Sequence, residues 1–473
     1  MKKLFPPLLI LCLFFLGIFI FTPDVDAALL DWTQVNTNGF GDSNNNGYEI
    51  AGTKANNGNI YFATDNSTSG TKLYVCDPVG APGSSCSDTT GWTQANTAGF
   101  GNSNTHSLNL NAIGSFSINS IDYLYMGTNT PANGGDIVRC DESTGCDAPS
   151  EFFAASSAGM GIGTPANQPS VQSFEVLGNY MYVGVKNTVS DVSIYRCDTT
   201  VVGGCDATGP HDDGDWDLVT SGGIGSANEN IVADFETVNV SGTDYLYAAT
   251  KHGTLGPRIY RMNPATDCDG TVTCSWTQVN YDDFESGGGQ NNGDPLTMRV
   301  FNGHIVVTTE NITYGGQVWA CNIASTSCDA GDDWLEYAEF GGSLSGLIGD
   351  ADNDNVLLFD EYNGELWAGV TNGVDGARIF KTNGTDLNDW QPVSGFGFDD
   401  STNNIFVWPF ATGSVFAAAA HGNSGVEIWE TSGSETSPIP ELPSSNIWKI
   451  LIAVLVLGLV VGIAAFMKKK KNN

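Results

Sequence analysis

The residue pattern with the most chemistry in it is Asp350-Ala351-Asp352-Asn353-Asp354-Asn355. Carboxylates at positions 1, 3 and 5 of a tight loop converge on a hard cation, and Asn at position 6 tolerates the left-handed turn that closes it. Glu361 falls at position 12, where a bidentate ligand would sit, so calcium is the expected cofactor and Asp350, Asp352, Asp354 and Glu361 its expected ligands. Against this, Val356–Phe359 reads as a strand that would carry Glu361 away, which leaves a solvated acidic turn as the plain alternative. The five histidines (106, 211, 252, 304 and 421) form no metal-ligand spacing, and neither a Gly-x-Ser-x-Gly elbow nor a phosphate loop is present. Carboxylates for a glycosidase pair abound, but sequence alone does not report their separation. No catalytic residue is therefore assigned.

What must position these residues is a repeat. An aromatic-led strand recurs at Trp32-Thr33-Gln34-Val35, Trp92-Thr93-Gln94-Ala95, Trp216-Asp217-Leu218-Val219, Trp276-Thr277-Gln278-Val279, Trp334-Leu335-Glu336-Tyr337 and Trp390-Gln391-Pro392-Val393, with a Phe variant near Phe152-Phe153. A second marker, such as Tyr123-Leu124-Tyr125-Met126-Gly127 or Tyr180-Met181-Tyr182-Val183-Gly184, falls between successive copies. A third, such as Arg258-Ile259-Tyr260 or Glu427-Ile428-Trp429, follows it and often opens with Gly. Short β-branched and aromatic runs bounded by Gly, Asn, Asp and Ser are strands and turns. With room for a strand before the second marker, as at Ser173–Leu177, each unit holds four. The expected fold is all-β: a seven-bladed β-propeller with four-stranded blades. The first Trp strand has no blade before it and the last blade has no Trp strand after it. The N-terminal strand, Trp32 to Val35, is therefore expected to close the last blade.

Cysteines fall at a recurring position in blades one to five: Cys76 with Cys86, Cys140 with Cys146, Cys197 with Cys205, Cys268 with Cys274, and Cys321 with Cys328. In an exported chain such pairs predict disulfides across the outer hairpin rather than zinc thiolates. Loops between the second and third markers carry Asn or His at an equivalent position, including Asn66, His252, Asn311 and His421. These are ligand-face candidates, a polar ring at the channel mouth. The structural alternative is that Asn and His accept the positive-φ conformation of a turn. Arg139, Arg196 and Arg261 sit at repeat positions better explained by structure than by anion recognition. The Phe of Gly39-Phe40-Gly41, Gly99-Phe100-Gly101 and Gly395-Phe396-Gly397-Phe398 is expected to plug the space between blades.

The ends set the compartment. Lys2-Lys3, an apolar run and Val25-Asp26-Ala27 read as a signal peptide over 1–27. Residues 28–433 form the expected ectodomain and 434–446 a Ser/Pro linker. Residues 447–467 read as a transmembrane helix, and 468–473, with Lys468–Lys471, as a basic cytoplasmic tail. The ectodomain therefore faces outward from the cell envelope. Acidic residues number 53 against 18 lysines and arginines, a formal net charge of −35, which repels nucleic acid.

The repeat region, 30–433, resembles secreted bacterial and archaeal propellers of the BNR/Asp-box and kelch-like kind. The resemblance rests on the Tyr-x-Tyr-x-Gly, Gly-x-x-Ile-Trp/Tyr and Trp-Thr-x-Val strands. The full Asp-box (Ser-x-Asp-x-Gly-x-x-Trp) is absent, and no sialidase chemistry is carried over. The Asp350 loop is similar to the calcium loops of integrin-type propellers, with Leu358 where they have a carboxylate. Leu442-Pro443-Ser444-Ser445-Asn446 looks like a degenerate sortase signal, and Pro438-Ile439-Pro440-Glu441 is similar to exosortase-type tails. The expected function is a non-catalytic, monomeric cell-surface binding or adhesion module for a surface glycan or protein ligand. An extracellular carbohydrate-active enzyme and a structural envelope protein are the alternatives.

Overall fold

The structure is a computed structural model of the 473-residue chain. It describes residues 29–432 except 48, 82, 84, 162–163, 190, 209–214, 221–223, 226–227, 269–272, 286–290, 341–351, 383–388, 412–413 and 422–423. The chain divides into two units. One comprises the two ends, Met1–Leu30 and Ser434–Asn473; the other, Asp31–Gly433, carries all the regular structure described here. The expected signal peptide, linker, membrane helix and tail lie outside the described residues. Among the described residues, no helix is long and apolar enough to cross a membrane.

Asp31–Gly433 is a mostly-β, propeller-like body of repeated antiparallel meanders. The first strands are Ala51–Lys54, Ser107–Ile118, Ser170–Leu177, Glu229–Val240, Pro295–Phe301, Asn353–Tyr362 and Asn403–Ala411. The second strands are Ile60–Ala63, Ile121–Asn129, Tyr180–Lys186, Thr243–His252, His304–Thr309, Glu365–Asn372 and Val415–His421. Third strands run from Leu73–Cys76 in the first meander to Gly425–Thr431 in the last, and each pairs with its second strand. The Trp-led segments and Phe152–Ala154 form the fourth strands, as their sequence implies. In the last meander that place is taken by Thr33–Gln34, in register Thr33 with Glu430 and Gln34 with Trp429. Val35 N–H donates to Ile428 O at 2.8 Å, extending the pairing.

One departure from a plain repeat is the second meander. Its first strand breaks register between Leu108 and Ile113. The bulged residues lean onto the third meander, pairing Asn111 with Ser173, so that the two meanders join into one eight-stranded sheet. A bulge bends and re-aims a strand in this way.

Each meander is apolar on both faces, so it buries side chains against a neighbour on either side. One core cluster joins Val35, Phe416 and Ile428 of the last meander to Ile50, Phe62 and Trp92 of the first. Others join the first to the second, the second to the third, and onward to the sixth. The sixth meets the seventh where Trp32 Nε1 donates to Val393 O at 3.1 Å and its ring packs edge-on to Trp367. Trp216 to Ala155 and Trp334 to Val279 repeat this indole-to-carbonyl bond between other neighbours. Of the expected plug residues, Phe40 stacks on Tyr74 at 3.8 Å and Phe398 on Trp429 at 4.8 Å, whereas Phe396 is exposed; Phe284, which the motif did not single out, stacks on Trp319 at 5.1 Å in the same way.

All five expected disulfides are present, Cys76–Cys86, Cys140–Cys146, Cys197–Cys205, Cys268–Cys274 and Cys321–Cys328. They close hairpins after the third strand, at the end of the meander opposite the turn between strands two and three. Five disulfides suit an exported chain in an oxidising compartment.

Candidate functional site: the loop-rich face and the axial cavities

The turns between second and third strands share one face with the connections that enter each first strand. At this face Asn66 is fully buried; its Oδ1 accepts from Thr68 N–H (3.0 Å) and Ser69 N–H (2.8 Å), and its Nδ2 donates to Asn45 Oδ1 at 2.7 Å. Asn311 does the same with Thr313 and Tyr314, and reaches Asn292 Oδ1. Asn372 does so with Val374 and Asp375, and reaches Asn353 Oδ1. His252 replaces the amide with Nδ1, which accepts from Thr254 N–H (3.2 Å) and Leu255 N–H (3.1 Å). Side-chain capping of its own turn is what Asn does best in such a loop. These ring residues thus hold the turns and tie them to the entering loop. His421 pairs through its backbone with Asn403 and Gly425, and its side chain lies outside the described residues.

The loops also approach each other too closely for side chains. Gly425 has φ +92° and a Cβ there would lie 2.4 Å from Gly39 Cα. The same Gly-on-Gly approach joins Gly70 to Gly99 and Gly376 to Gly397.

Of the expected calcium ligands, Asp350 lies outside the described residues. Asp352 is exposed just before the strand Asn353–Tyr362, and Asp354 lies in its first turn of pleat. Glu361 sits at the far end, in register with Leu366. Seven residues of extended chain separate Asp354 from Glu361, roughly 20 Å. Among the described residues no group of three or more His, Cys, Asp or Glu side chains converges to hold a metal. Asp354 instead belongs to an acidic corner. Burial, then the charge of Asp352, raises its carboxyl, and burial followed by Asp294 raises that of Glu310. Lys251 pairs with Asp294 here.

A cleft of about 930 Å³ opens on this face between the fourth and fifth meanders, walled by Lys251–Gly256, Gln278–Asp283 and Asn291–Gly293. Most of its charges are committed, the exposed Glu285 excepted. Arg258 Nε donates to Asp282 Oδ1 at 2.8 Å, and its Nη1 donates to the fully buried Glu229 Oε1 at 2.9 Å. Tyr260 OH and Thr250 Oγ1 also donate to Glu229. Asp283 accepts from Asn291 N–H and Asn292 N–H. Asn292 is 5% exposed, its Oδ1 accepts from Thr309 and Asn311, and its Nδ2 has no hydrogen-bond partner among the described residues.

Two smaller cavities lie where first strands converge. Asn111 Nδ2 donates to Ala233 O (2.9 Å) and Leu296 O (3.1 Å), reaching from the second meander to the fourth and fifth. Together with Leu110 it borders both cavities. The cavity toward the loop-rich face, about 330 Å³, presents Glu49, Lys186, Lys251 and Asp294. The other, about 230 Å³, lies further along the first strands and presents Glu175, Asp234, Glu236 and Arg299. Arg299 Nη1 donates to Asp234 Oδ2 at 2.8 Å, and Met298 N–H and Phe235 N–H also donate to that carboxylate. These bonds oppose the upward push of burial on Asp234. Burial, opposed only weakly by the hydrogen bond with Thr237, pushes Glu175 up to about 7. Burial against the Arg299 charge leaves Glu236 at about 8. Both are neutral acids in mildly acidic solution.

This axial group escapes a motif search because its members come from three units. The available signal was a charge inside an otherwise apolar first strand: Phe174-Glu175-Val176, Asp234-Phe235-Glu236 and Met298-Arg299-Val300.

No protein-family model and no curated protein matches the chain. Among solved structures it is similar to the BP39L lectin from Burkholderia pseudomallei, with a TM-score of 0.51, 10% identity, and coverage of 83% of this chain and 99% of the lectin. A puromycin-hydrolyzing peptidase of Mycobacterium tuberculosis gives 0.49 at 9% identity, over 88% of this chain and 57% of the peptidase. A prolyl endopeptidase gives 0.41 at 11% identity, over 78% of this chain, which spans about half (47%) of that enzyme's length. At such identities the likeness concerns fold alone.

Proposed function

We propose that the chain is an exported, surface-tethered binding module built as a seven-bladed propeller, with its N-terminal strand completing the seventh blade. Four-strand meanders packed in cyclic order support the blade count, and the Thr33–Gln34 pairing with Glu430 and Trp429 supports the closure. Deleting residues 30–36 is expected to lower the melting temperature strongly. An unchanged value would count against the closure. The tether is the apolar segment 447–467, and protease shaving of intact cells that releases the disulfide-bonded body is its check.

The observation that carries the binding reading is the loop-face cleft. It is large enough for a ligand, most of its charged groups are tied to structural partners, and among the described residues Asn292 leaves a buried amide N–H without a partner at its wall. A buried donor left unpaired has a cost that a bound acceptor would relieve. Screening the full-length chain against glycans and polypeptides, with turnover followed in parallel, tests this. Binding without turnover, weakened by Asn292→Leu, supports it.

A second reading, glycoside cleavage, is favoured by one observation: two acids with raised pKa, Glu175 and Glu236, beside the Asp234–Arg299 pair. Carboxyl groups held in different protonation states are the usual tools of that reaction. Turnover abolished by Glu175→Gln or Glu236→Gln would establish it.

A further inference from the structure

The tips of the turns on the loop-rich face are not alike. In the third to sixth meanders they expose apolar side chains: Val189 (70% exposed), Leu255 (43%), Ile312 (72%) with Tyr314 (45%), and Val374 (63%). The corresponding tips of the first and second meanders read Ser67-Thr68-Ser69 and Pro131-Ala132-Asn133, and that of the seventh reads Gly422-Asn423-Ser424. Single exposed apolar residues on a surface are ordinary. Four consecutive repeats placing a large aliphatic side chain at the same turn, while the first and second do not, is an arrangement. None of these side chains is needed by the fold, because each turn is already capped from below by Asn187, His252, Asn311 or Asn372.

The same arc is acidic. Asp375 follows Val374 at the tip, Asp352 and Glu285 are exposed, and Asp282 remains partly exposed beside the cleft. The basic groups at the cleft are engaged: Lys251 is held by Asp294, and Arg258 by Glu229 and Asp282. The cleft lies in the middle of the arc, and Leu255 belongs to both.

Apolar tips within an acidic field select against several occupants. An anionic lipid surface or nucleic acid would be repelled. A neutral glycan would use neither the charge nor the aliphatic tips. A polypeptide segment that interleaves lysine or arginine with aliphatic or aromatic side chains satisfies both. We propose that the apolar arc of the third to sixth meanders docks such a cationic, apolar polypeptide, with the cleft accepting one of its side chains. This rests on the binding-module reading and names the ligand class for it.

The test uses the full-length chain and three flexible peptides of equal length: lysine–leucine–glycine, lysine–glycine and leucine–glycine. The mixed peptide is expected to bind at least about tenfold more tightly than either of the others, with affinity falling as salt is raised. Ile312→Ser combined with Val374→Ser is expected to weaken it about tenfold with an unchanged melting temperature. Val79→Ser combined with Val202→Ser, exposed apolar residues on the opposite face, should leave it as it was. Equal binding of the lysine–glycine peptide, or indifference to the arc substitutions, overturns the proposal. Binding confined to glycans overturns it while sparing the binding-module reading, and no binding to any glycan or peptide overturns both.

Discussion

The two faces of the β body are held by different means. On the loop-rich face, short turns cap themselves with Asn or His and press glycine against glycine. On the opposite face, each of several hairpins is stapled by a disulfide and then clasped by the preceding meander. Tyr125 OH donates to Cys205 O at 3.0 Å, Tyr61 OH to Gly145 O at 2.9 Å and Tyr247 OH to Cys328 O at 3.3 Å. Arg139 lies 4.6 Å over the Tyr123 ring while donating to Gly204 O and Cys205 O, and Arg261 over Tyr245 repeats this toward Ser327 O. The stapled face thus spends its side chains on joining neighbours. The loop-rich face delegates that work to backbone and caps, leaving its tips free to differ from unit to unit. Variation that leaves a scaffold intact is what a binding surface requires.

If the faces are built this way, one added methyl group should separate them. Gly425→Ala puts a Cβ within 2.4 Å of Gly39 Cα at φ +92°, and should cost at least about 3 kcal/mol. Gly203→Ala, in the Cys197–Cys205 hairpin, also has positive φ (+71°) but meets nothing within 4 Å. Its cost should be about 1 kcal/mol, the conformational term alone. Denaturant melts of the two variants compare the faces directly, and equal losses would break the contrast. Next in size, Cys197→Ser with Cys205→Ser should cost about 2–3 kcal/mol, since it frees the hairpin that Tyr125 and Arg139 grip. Arg139→Ala should then cost about 1–2 kcal/mol, and far less in the disulfide-free background. Full additivity in that double-mutant cycle would mean that staple and clasp act independently.

Much of this was legible in the chain because repetition displays itself. The Tyr-x-Tyr strand, the Trp strand and the cysteine pairs each mark a position that physics fixes in every unit. The seam followed from the phase of those markers, and Thr33 pairs with Glu430 as that phase requires. The three arginines of the third marker were legible as structural, though not their grip on the next hairpin. The bulge at residues 109–112 was not legible, because a register shift leaves no mark in composition. Nor was the axial acid group, whose members meet only through the convergence of first strands. That Asn66, His252 and Asn311 serve their own turns stood in the sequence as one of two readings, but the positive φ expected of them is not found: they hold the turns through side-chain caps instead.

The smallest effect concerns the axis, where the two faces meet around Asn111. The cavity toward the loop-rich face offers charges of both signs, whereas the other holds Glu175 and Glu236, raised by burial to about 7 and about 8. For each, the folded protein keeps its proton when the unfolded chain, near 4.5, has released it. Stability from these groups is therefore complete below about pH 4 and is lost as pH rises through 7 to 8. Glu236→Gln removes the ionisation but keeps an acceptor for Val300 N–H, which donates to Glu236 Oε1 at 3.3 Å. Relative to the parent chain, it should be neutral or slightly destabilising at pH 5 and stabilising by about 1 kcal/mol at pH 8.5. Lys251→Met at the other cavity removes a cation from the half-buried Asp294 pair and should change stability by less than about 1 kcal/mol, with little slope between those pH values. Melts of both variants at the two pH values measure the difference. A flat profile for Glu236→Gln relative to parent would place that carboxyl in water, and the contrast between the two ends of the axis would fail there first.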